Sequence, residues 1–280
     1  MHLSAALVAS NSNPDYLGFW PLVQEAWSRV VGIQAHLVLV LGPQEAWPVG
    51  FGSYRHDPHV HEYRAPPGLD TAFVAQNIRL LFPALLSYRG AVIISDLDLI
   101  PADHGYFHRA VQGRPSTEFV VYRSDVLLAN REIPMCYNAA TPATWSALFG
   151  VSDYGDLGRL LTRRYAEVGN LWTSDQRWLW DALHVAGVPV YRWRDEDLGH
   201  HRLCRSQDPD TSLRVGHTSL RLGAGVYTDY HMLRPAQNYA VLNRTWLEAS
   251  LRPRGHDSLR ERLFTWIPSI LVSVLLPLYL

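Results

Sequence analysis

The sequence contains no lysine; all 25 of its basic side chains are arginines. Schiff-base chemistry, a phosphate-binding P-loop lysine and a lysine general base are therefore excluded. Only two cysteines occur, Cys136 and Cys204, far apart and in no CxxC pair. They support neither a disulfide framework nor a zinc knuckle, and a reducing cytoplasm is the setting they imply. Charge is scarce as well, at 18% of residues, and 25 arginines against 26 acidic residues leave a formal net charge of −1. A nucleic-acid binder needs a basic footprint to displace counterions, so no nucleic-acid partner is expected. Internal repeats and low-complexity stretches are missing. The apolar N-terminus lacks a basic region and runs straight into Asn11-Ser12-Asn13, which reads as a first buried strand rather than a signal peptide.

What is present is apolar: 48% of 280 residues, enough for one large α/β domain or two small ones with a sizeable core. Runs 3–9 and 36–41 read as strands, with a helix between them over 15–30 opened by Asn13-Pro14. A short strand follows at 60–63. The segment 71–86 places Val74, Ile78, Leu81 and Leu85 on one helical face. Residues 91–94, Ala-Val-Ile-Ile, form a continuous β-branched run suited to a central parallel strand covered on both faces. Strands are expected at 118–121, 131–137 and 188–191, and helices from Thr141-Pro142 and over 174–186. Strands alternating with helices predict a mostly parallel sheet.

The run 91–94 ends in Ser95-Asp96-Leu97-Asp98. In open α/β sheets ligands bind beyond the carboxyl ends of strands, so this carboxylate pair stands where chemistry is done. One carboxylate can reach a hard cation directly and the other directly or through water, leaving coordination positions for phosphate oxygens. A solvated turn or a helix cap is the competing reading of the same three residues.

With these residues the chain resembles the GT-A glycosyltransferases, which bind nucleotide-sugar donors through a DxD-held metal; small bacterial and large-DNA-virus members are the nearest in kind. Ile93-Ile94-Ser95-Asp96-Leu97-Asp98-Leu99-Ile100-Pro101 resembles their strand and metal motif. Pro134-Met135-Cys136-Tyr137-Asn138-Ala139-Ala140 resembles the segment lining the sugar pocket. Thr173-Ser174-Asp175-Gln176 resembles the acidic residue opening the helix beneath the acceptor, and Asp229-Tyr230-His231-Met232-Leu233-Arg234-Pro235 the late histidine of the metal site. The resemblance covers roughly residues 3–240. It implies an α/β fold of GT-A (Rossmann-like) type, a mixed, mostly parallel sheet flanked by helices in one domain over 1–255, followed by an apolar tail over 256–280.

The same resemblance implies a divalent metal, Mn²⁺ or Mg²⁺, bound by Asp96, Asp98 and His231, with His217 a rival histidine. The nucleotide is expected against Ser10, Asn11, Asn13, Ser95 and Asp96, with Gln76 and Arg79 three apart on one helix and Arg234 for the diphosphate. Helix capping and plain solvation compete for the first asparagines and for Gln76 and Arg79. Tyr137, Asn138, Ala139, Gln176 and Trp172 are the sugar-binding candidates, Trp172 as an acceptor platform, while most of the ten tryptophans read as packing residues. Asp175 is the catalytic candidate, a base for the attacking hydroxyl in an inverting displacement; helix capping competes here, and a retaining enzyme would place the residue beside the donor. His56, His59 and His61 have ligand-like spacing in a Pro-rich stretch that reads as a surface loop.

The expected activity is hexosyl or deoxyhexosyl transfer from a nucleotide sugar, UDP-linked by default, to a glycan or lipid-linked acceptor. Two other classes remain: a haloacid-dehalogenase-like phosphatase with Asp96 as nucleophile, and an inert sugar- or nucleotide-binding protein. Ile100 and the missing lysine depart from the phosphatase pattern, as does the setting of Asp195-Glu196-Asp197. Residues 264–280 are uncharged, contain Trp266 and Tyr279, and follow Arg252, Arg254, Arg260 and Arg262. A spanning helix takes about 20 apolar residues; this stretch is shorter and carries Pro268 and Pro277, so an interfacial anchor at the cytoplasmic membrane face or a packed segment is expected.

Overall fold

The computed structural model describes residues 1–126, 131–203, 218–219 and 221–251. Cys204, His217 and the tail with its arginines lie outside the described residues. Seven strands form the main sheet in the order β3-β2-β1-β4-β7-β6-β8: β1 (Leu3–Asn11), β2 (Gln34–Leu41), β3 (Val60–Arg64), β4 (Ala91–Ser95), β6 (Phe119–Tyr122), β7 (Tyr137–Ala140) and β8 (Val190–Trp193). Six run parallel and β7 alone is reversed between β4 and β6. A small second sheet joins β5 (Leu99–Pro101), β10 (Asp229–His231) and β9 (Arg202–Leu203). The mixed, mostly parallel sheet flanked by helices expected from the sequence is what is observed.

Strand periodicity divides the core. Along β1, Ala6 and Val8 enter one apolar layer while Ala5 and Leu7 enter the other; along β4, Ala91 and Ile93 oppose Val92 and Ile94. One layer, with Trp20, Trp27, Phe107 and Trp246, lies under α1 (Pro14–Leu17), α2 (Trp20–Ala26), α4 (His104–Val111) and the late helix α9 (Ala240–Ser250). The other, with Phe73, Trp145 and Leu179, lies under α3 (Thr71–Leu81), α5 (Pro142–Phe149), α6 (Tyr154–Val168) and α7 (Ser174–Ala186). The packing assigned to most tryptophans therefore holds for Trp20, Trp27 and Trp145, which are fully buried.

Three expected elements differ. The helix over 15–30 is two helices and a π-helical turn (Trp27–Val31). Pro21 cannot donate to the Leu17 carbonyl and its ring would collide with it, and a Cβ on Gly18 would lie 2.9 Å from that of Ala236. The helix over 71–86 stops at Leu81 and tightens into a 3₁₀ turn (Phe82–Leu85) at Pro83. The strand over 131–137 starts only at Tyr137, because Pro134 offers no donor and its carbonyl accepts from Asn138 Nδ2 at 2.7 Å.

His61 does not sit in a surface loop. It lies on β3, where its Nε2 is 2.9 Å from His36 Nδ1 on β2, and His36 Nε2 reaches the Tyr88 hydroxyl at 2.7 Å. His59 packs edge-on to His36 and bonds Asp57, whose other oxygen accepts from Gln24. Burial, then the proximity of His61 and His59, pushes His36 down to about 4. In the unfolded chain it titrates near its ordinary value, about 6.5. Between these values the unfolded state holds more protons, so stability present above about pH 6.5 is lost as the pH falls toward 4, by about 3 kcal/mol in total. Urea midpoints should therefore drop over this window, and His36→Asn should flatten the dependence.

Candidate active site

The carboxyl edge of the sheet opens into a cavity of about 840 Å³. Its wall includes Ser10, Asn11 and Asn13 from the end of β1, Asp96 and Asp98 after β4, and Asp175 and Gln176 from α7. Gln76, Arg79, Trp172, His231 and Arg234 complete the expected residues that it brings together. The edge is chemically open because a parallel strand ends there with its last carbonyls unpaired and its loop free to carry polar groups.

Arg79 is the hub. From α3 its Nη2 donates to Asp175 Oδ2 at 2.6 Å and its Nη1 to Asp96 Oδ1, joining the end of β4 to the start of α7. Gln76 Nε2, one turn earlier, donates to Asp175 Oδ1 at 3.0 Å and to the Trp172 carbonyl. The polar ends of Gln76 and Arg79 thus go to the Asp96 and Asp175 carboxylates, while both residues line the cavity. Thr173 precedes α7 without a side-chain cap bond, and Asp175 sits in the first turn, accepting from the Gln176 amide at 2.8 Å. It is 1% exposed, and burial, reinforced by Asp96, raises its carboxyl against the opposing pull of Arg79. Asp96 also pays for burial but is held below the usual carboxylate range by Arg79, with His231 and Arg202 contributing.

The second focus is Asp98. Its Oδ2 lies 3.2 Å from His231 Nε2 and 3.7 Å from Arg234 Nε. Pairing of β5 with β10 creates this meeting: Leu99 opposes His231, and the Met232 amide donates to the Asp98 carbonyl at 2.8 Å. Arg234 stacks over the Tyr16 ring at 4.8 Å. Among the described residues no group of three or more His, Cys, Asp or Glu side chains is assembled around a metal position, since Asp96 turns to Arg79. The donor set nonetheless suits a divalent ion: a carboxylate oxygen and an imidazole nitrogen converge, and a second carboxylate stands two residues away.

Beyond β1, Asn13 caps α1 through the Asp15 amide at 3.0 Å while lining the cavity. Asn11 donates to Thr71 and Ser10 to the Asn11 carbonyl. Four expected residues do not line the cavity. Ser95 is buried, with its hydroxyl on the Asp96 carbonyl. Tyr137, Asn138 and Ala139 are fully buried because β7 is a central strand; Pro134, Met135 and Cys136 line the cavity in their place. Trp172 stands 77% exposed at the rim.

Sequence reasoning missed Arg123 and Arg202. Arg123 follows β6 at its carboxyl end, so the rule that located Asp96 would have flagged it. Its left-handed backbone, φ 52°, is uncommon for a residue with a side chain. It pairs with Asp195 at 3.0 Å and Asp229 at 3.1 Å, and Asp229 also accepts from Arg202 and the Tyr137 hydroxyl. Asp195, from the short helix α8 (Asp195–Leu198), is thus structural.

No family model matches the chain, and no curated protein matches it in sequence. Solved structures are similar. The galactosyltransferase LgtC, in complex with donor and acceptor sugar analogues, aligns at 11% identity and a TM-score of 0.46 over 95% of this chain and 98% of its own. The glycosyltransferase GlyE of Streptococcus pneumoniae TIGR4 aligns at 13% identity and 0.48 over 95% of this chain and 64% of its own, so this chain spans less than two thirds of GlyE. A glycosyltransferase involved in the glycosylation of the major capsid of PBCV-1 aligns at 7% and 0.46, over 86% and 99%.

Removing Arg79 leaves Asp175 buried and unpaired. Arg79→Met should lower stability by about 3–5 kcal/mol, the usual cost of a stranded buried charge. The double variant with Asp175→Asn should lose clearly less than the sum of the two, as read from a double-mutant cycle in urea.

Proposed function

We propose that the chain is a metal-dependent glycosyltransferase, moving a hexosyl or deoxyhexosyl group from a nucleoside-diphosphate sugar, UDP-linked by default, to a hydroxyl of a glycan or lipid-linked acceptor. The observation that carries the reading is one cavity, at the carboxyl edge of the sheet, that collects the short polar groups of β1, the carboxylates after β4, His231, Arg234 and Asp175. Asp98 and His231 would hold Mn²⁺ or Mg²⁺, with Asp96 joining directly or through water. When bound, such an ion supplies Lewis-acid stabilisation of a departing diphosphate. Arg234 supplies the chain's own phosphate-binding fork, a role that no lysine can take here.

Asp175 is the base in this scheme. A carboxylate offers about four acceptor directions; Gln76, Arg79 and the Gln176 amide fill three, leaving one for an acceptor hydroxyl. Arg79 and the first turn of α7 favour the ionised form that accepts the proton. Direct displacement then inverts the anomeric carbon. Trp172, with its ring in solvent at the rim, offers an apolar face to an acceptor sugar. We place the protein in the cytoplasm, at a membrane face through residues 264–280.

With a panel of nucleotide sugars and Mn²⁺, release of nucleoside diphosphate is expected and should stop on chelation. Asp98→Asn and His231→Ala should each weaken metal binding at least tenfold by calorimetry. Asp175→Asn should cut transfer by roughly 10²–10⁴ while donor binding is kept. Nuclear magnetic resonance of the first product should show inversion; retention would put Asp175 beside the donor instead. Neither binding nor turnover with the whole panel would sink the transferase reading, and hydrolysis of simple phosphoesters indifferent to Asp175→Asn would replace it with a phosphatase. Deleting residues 264–280 should release the protein from sedimenting membranes.

A further inference from the structure

We infer that Arg202 recognises a carboxylate on a sugar substrate, making this a site for an acidic sugar, foremost a hexuronate carried by the donor. The inference rests on the transferase reading above and adds the substrate class. The order of the sheet supplies the first argument. Along the open edge the strands run β1, β4, β7, β6, and the residues they deliver to the cavity change in the same order. Ser10 and Asn11 come from β1, Asp96 and Asp98 follow β4, Cys136 precedes the reversed β7, and Arg123 follows β6. A donor with its nucleoside over β1 and its diphosphate at Asp98 extends its sugar toward β7 and β6.

Arg202 stands at that end. It lines the cavity, lies over the Tyr137 ring of β7 at 5.6 Å, and shares Asp229 with Arg123. Its Nε donates to Asp229 Oδ2 at 2.7 Å, and its Nη2 is ion-paired with the same oxygen at 2.5 Å. Nη1 has no partner among the described residues. A guanidinium presents five N–H donors in a planar fork that matches a carboxylate; here one oxygen of Asp229 occupies the Nε–Nη2 side and the Nη1 end is left for a ligand. Arg79 differs, with both terminal nitrogens committed to carboxylates, and so does Arg123, divided between Asp195 and Asp229. An uncharged hexose would leave these N–H groups poorly matched, whereas a sugar carboxylate completes them with charge-assisted bonds. Asp229, fully buried and bonded also by Tyr137 and Thr228, fixes the guanidinium in place before any ligand arrives.

The test compares donors that differ only at the sugar carboxylate: UDP-glucuronate with UDP-glucose, UDP-galacturonate with UDP-galactose, and GDP-mannuronate with GDP-mannose. Binding is measured by calorimetry with Mn²⁺, and free UDP and GDP serve as controls. At least one acidic donor should bind tenfold or more tighter than its neutral partner. Arg202→Lys, which keeps the charge opposite Asp229 but loses the fork, should erase that preference and leave free nucleotide binding within threefold; Arg202→Met should do the same if it folds. If donors are not discriminated but transfer to uronate-terminated acceptors exceeds transfer to neutral ones tenfold and falls to parity in Arg202→Lys, the carboxylate belongs to the acceptor and the recognition stands. Equal affinity for acidic and neutral donors and acceptors overturns it, as does equal loss of free nucleotide and acidic donor in Arg202→Lys, which would assign Arg202 to the diphosphate. No binding of any nucleotide or nucleotide sugar would remove the transferase reading, and this inference with it.

Discussion

A single buried guanidinium holds the active edge of this molecule together. Arg79 reaches from α3 to a carboxylate on each side, Asp96 at the end of β4 and Asp175 at the start of α7. Asp175 would not tolerate its surroundings alone: it is almost wholly enclosed, and burial already drives its carboxyl upward. The ion pairs compensate that desolvation and fix the distance between the loop after β4 and the start of α7. Gln76 repeats the brace one helical turn away, on the opposite oxygen of Asp175.

The complete reliance on arginine gives this arrangement its character. A lysine ammonium is a point charge, whereas a planar fork can hold two partners in defined directions. Arg79 does so with Asp96 and Asp175, and Arg123 does so with Asp195 and Asp229. Near-neutral overall charge thus conceals a cavity lined by Arg79, Arg123, Arg202 and Arg234, each positioned by carboxylates on or behind the wall. The buried Asp229 also ties β10 to β7, β9 and the end of β6, and that strand carries His231 to Asp98.

Much of the framework was legible because it depends on local periodicity. The alternation of apolar residues on β1, the β-branched run of β4 and the helical stripe of α3 mark strands and helix without any tertiary knowledge. The site followed from position: carboxylates after a buried strand belong at the open edge of the sheet. Four helices, α4, α6, α8 and α9, escaped notice. For α6 a signal was present, since Asp153 and Asp156 form a capping box at its start; α9 begins at Tyr239 without a side-chain cap bond. The segment 131–136 misled because its composition suits a strand, while Pro134 and the bond it receives from Asn138 stop one from forming.

The sequence by itself determined the alternating α/β order and the location of the Asp96–Asp98 pair, because strand ends and helix starts are set by neighbours along the chain; Asp175, His231 and Arg234 were grouped with that pair through the family resemblance. Only the tertiary structure decided what each side chain faces. It turned Gln76 and Arg79 toward carboxylates, buried Tyr137 and Asn138 inside a central reversed strand, drew His36 and His61 together across two strands, and set Arg202 against Asp229 at the far end of the cavity. Those outcomes depend on pairings between residues tens of positions apart, and a periodic pattern records which face of an element is buried but not which distant partner it meets there.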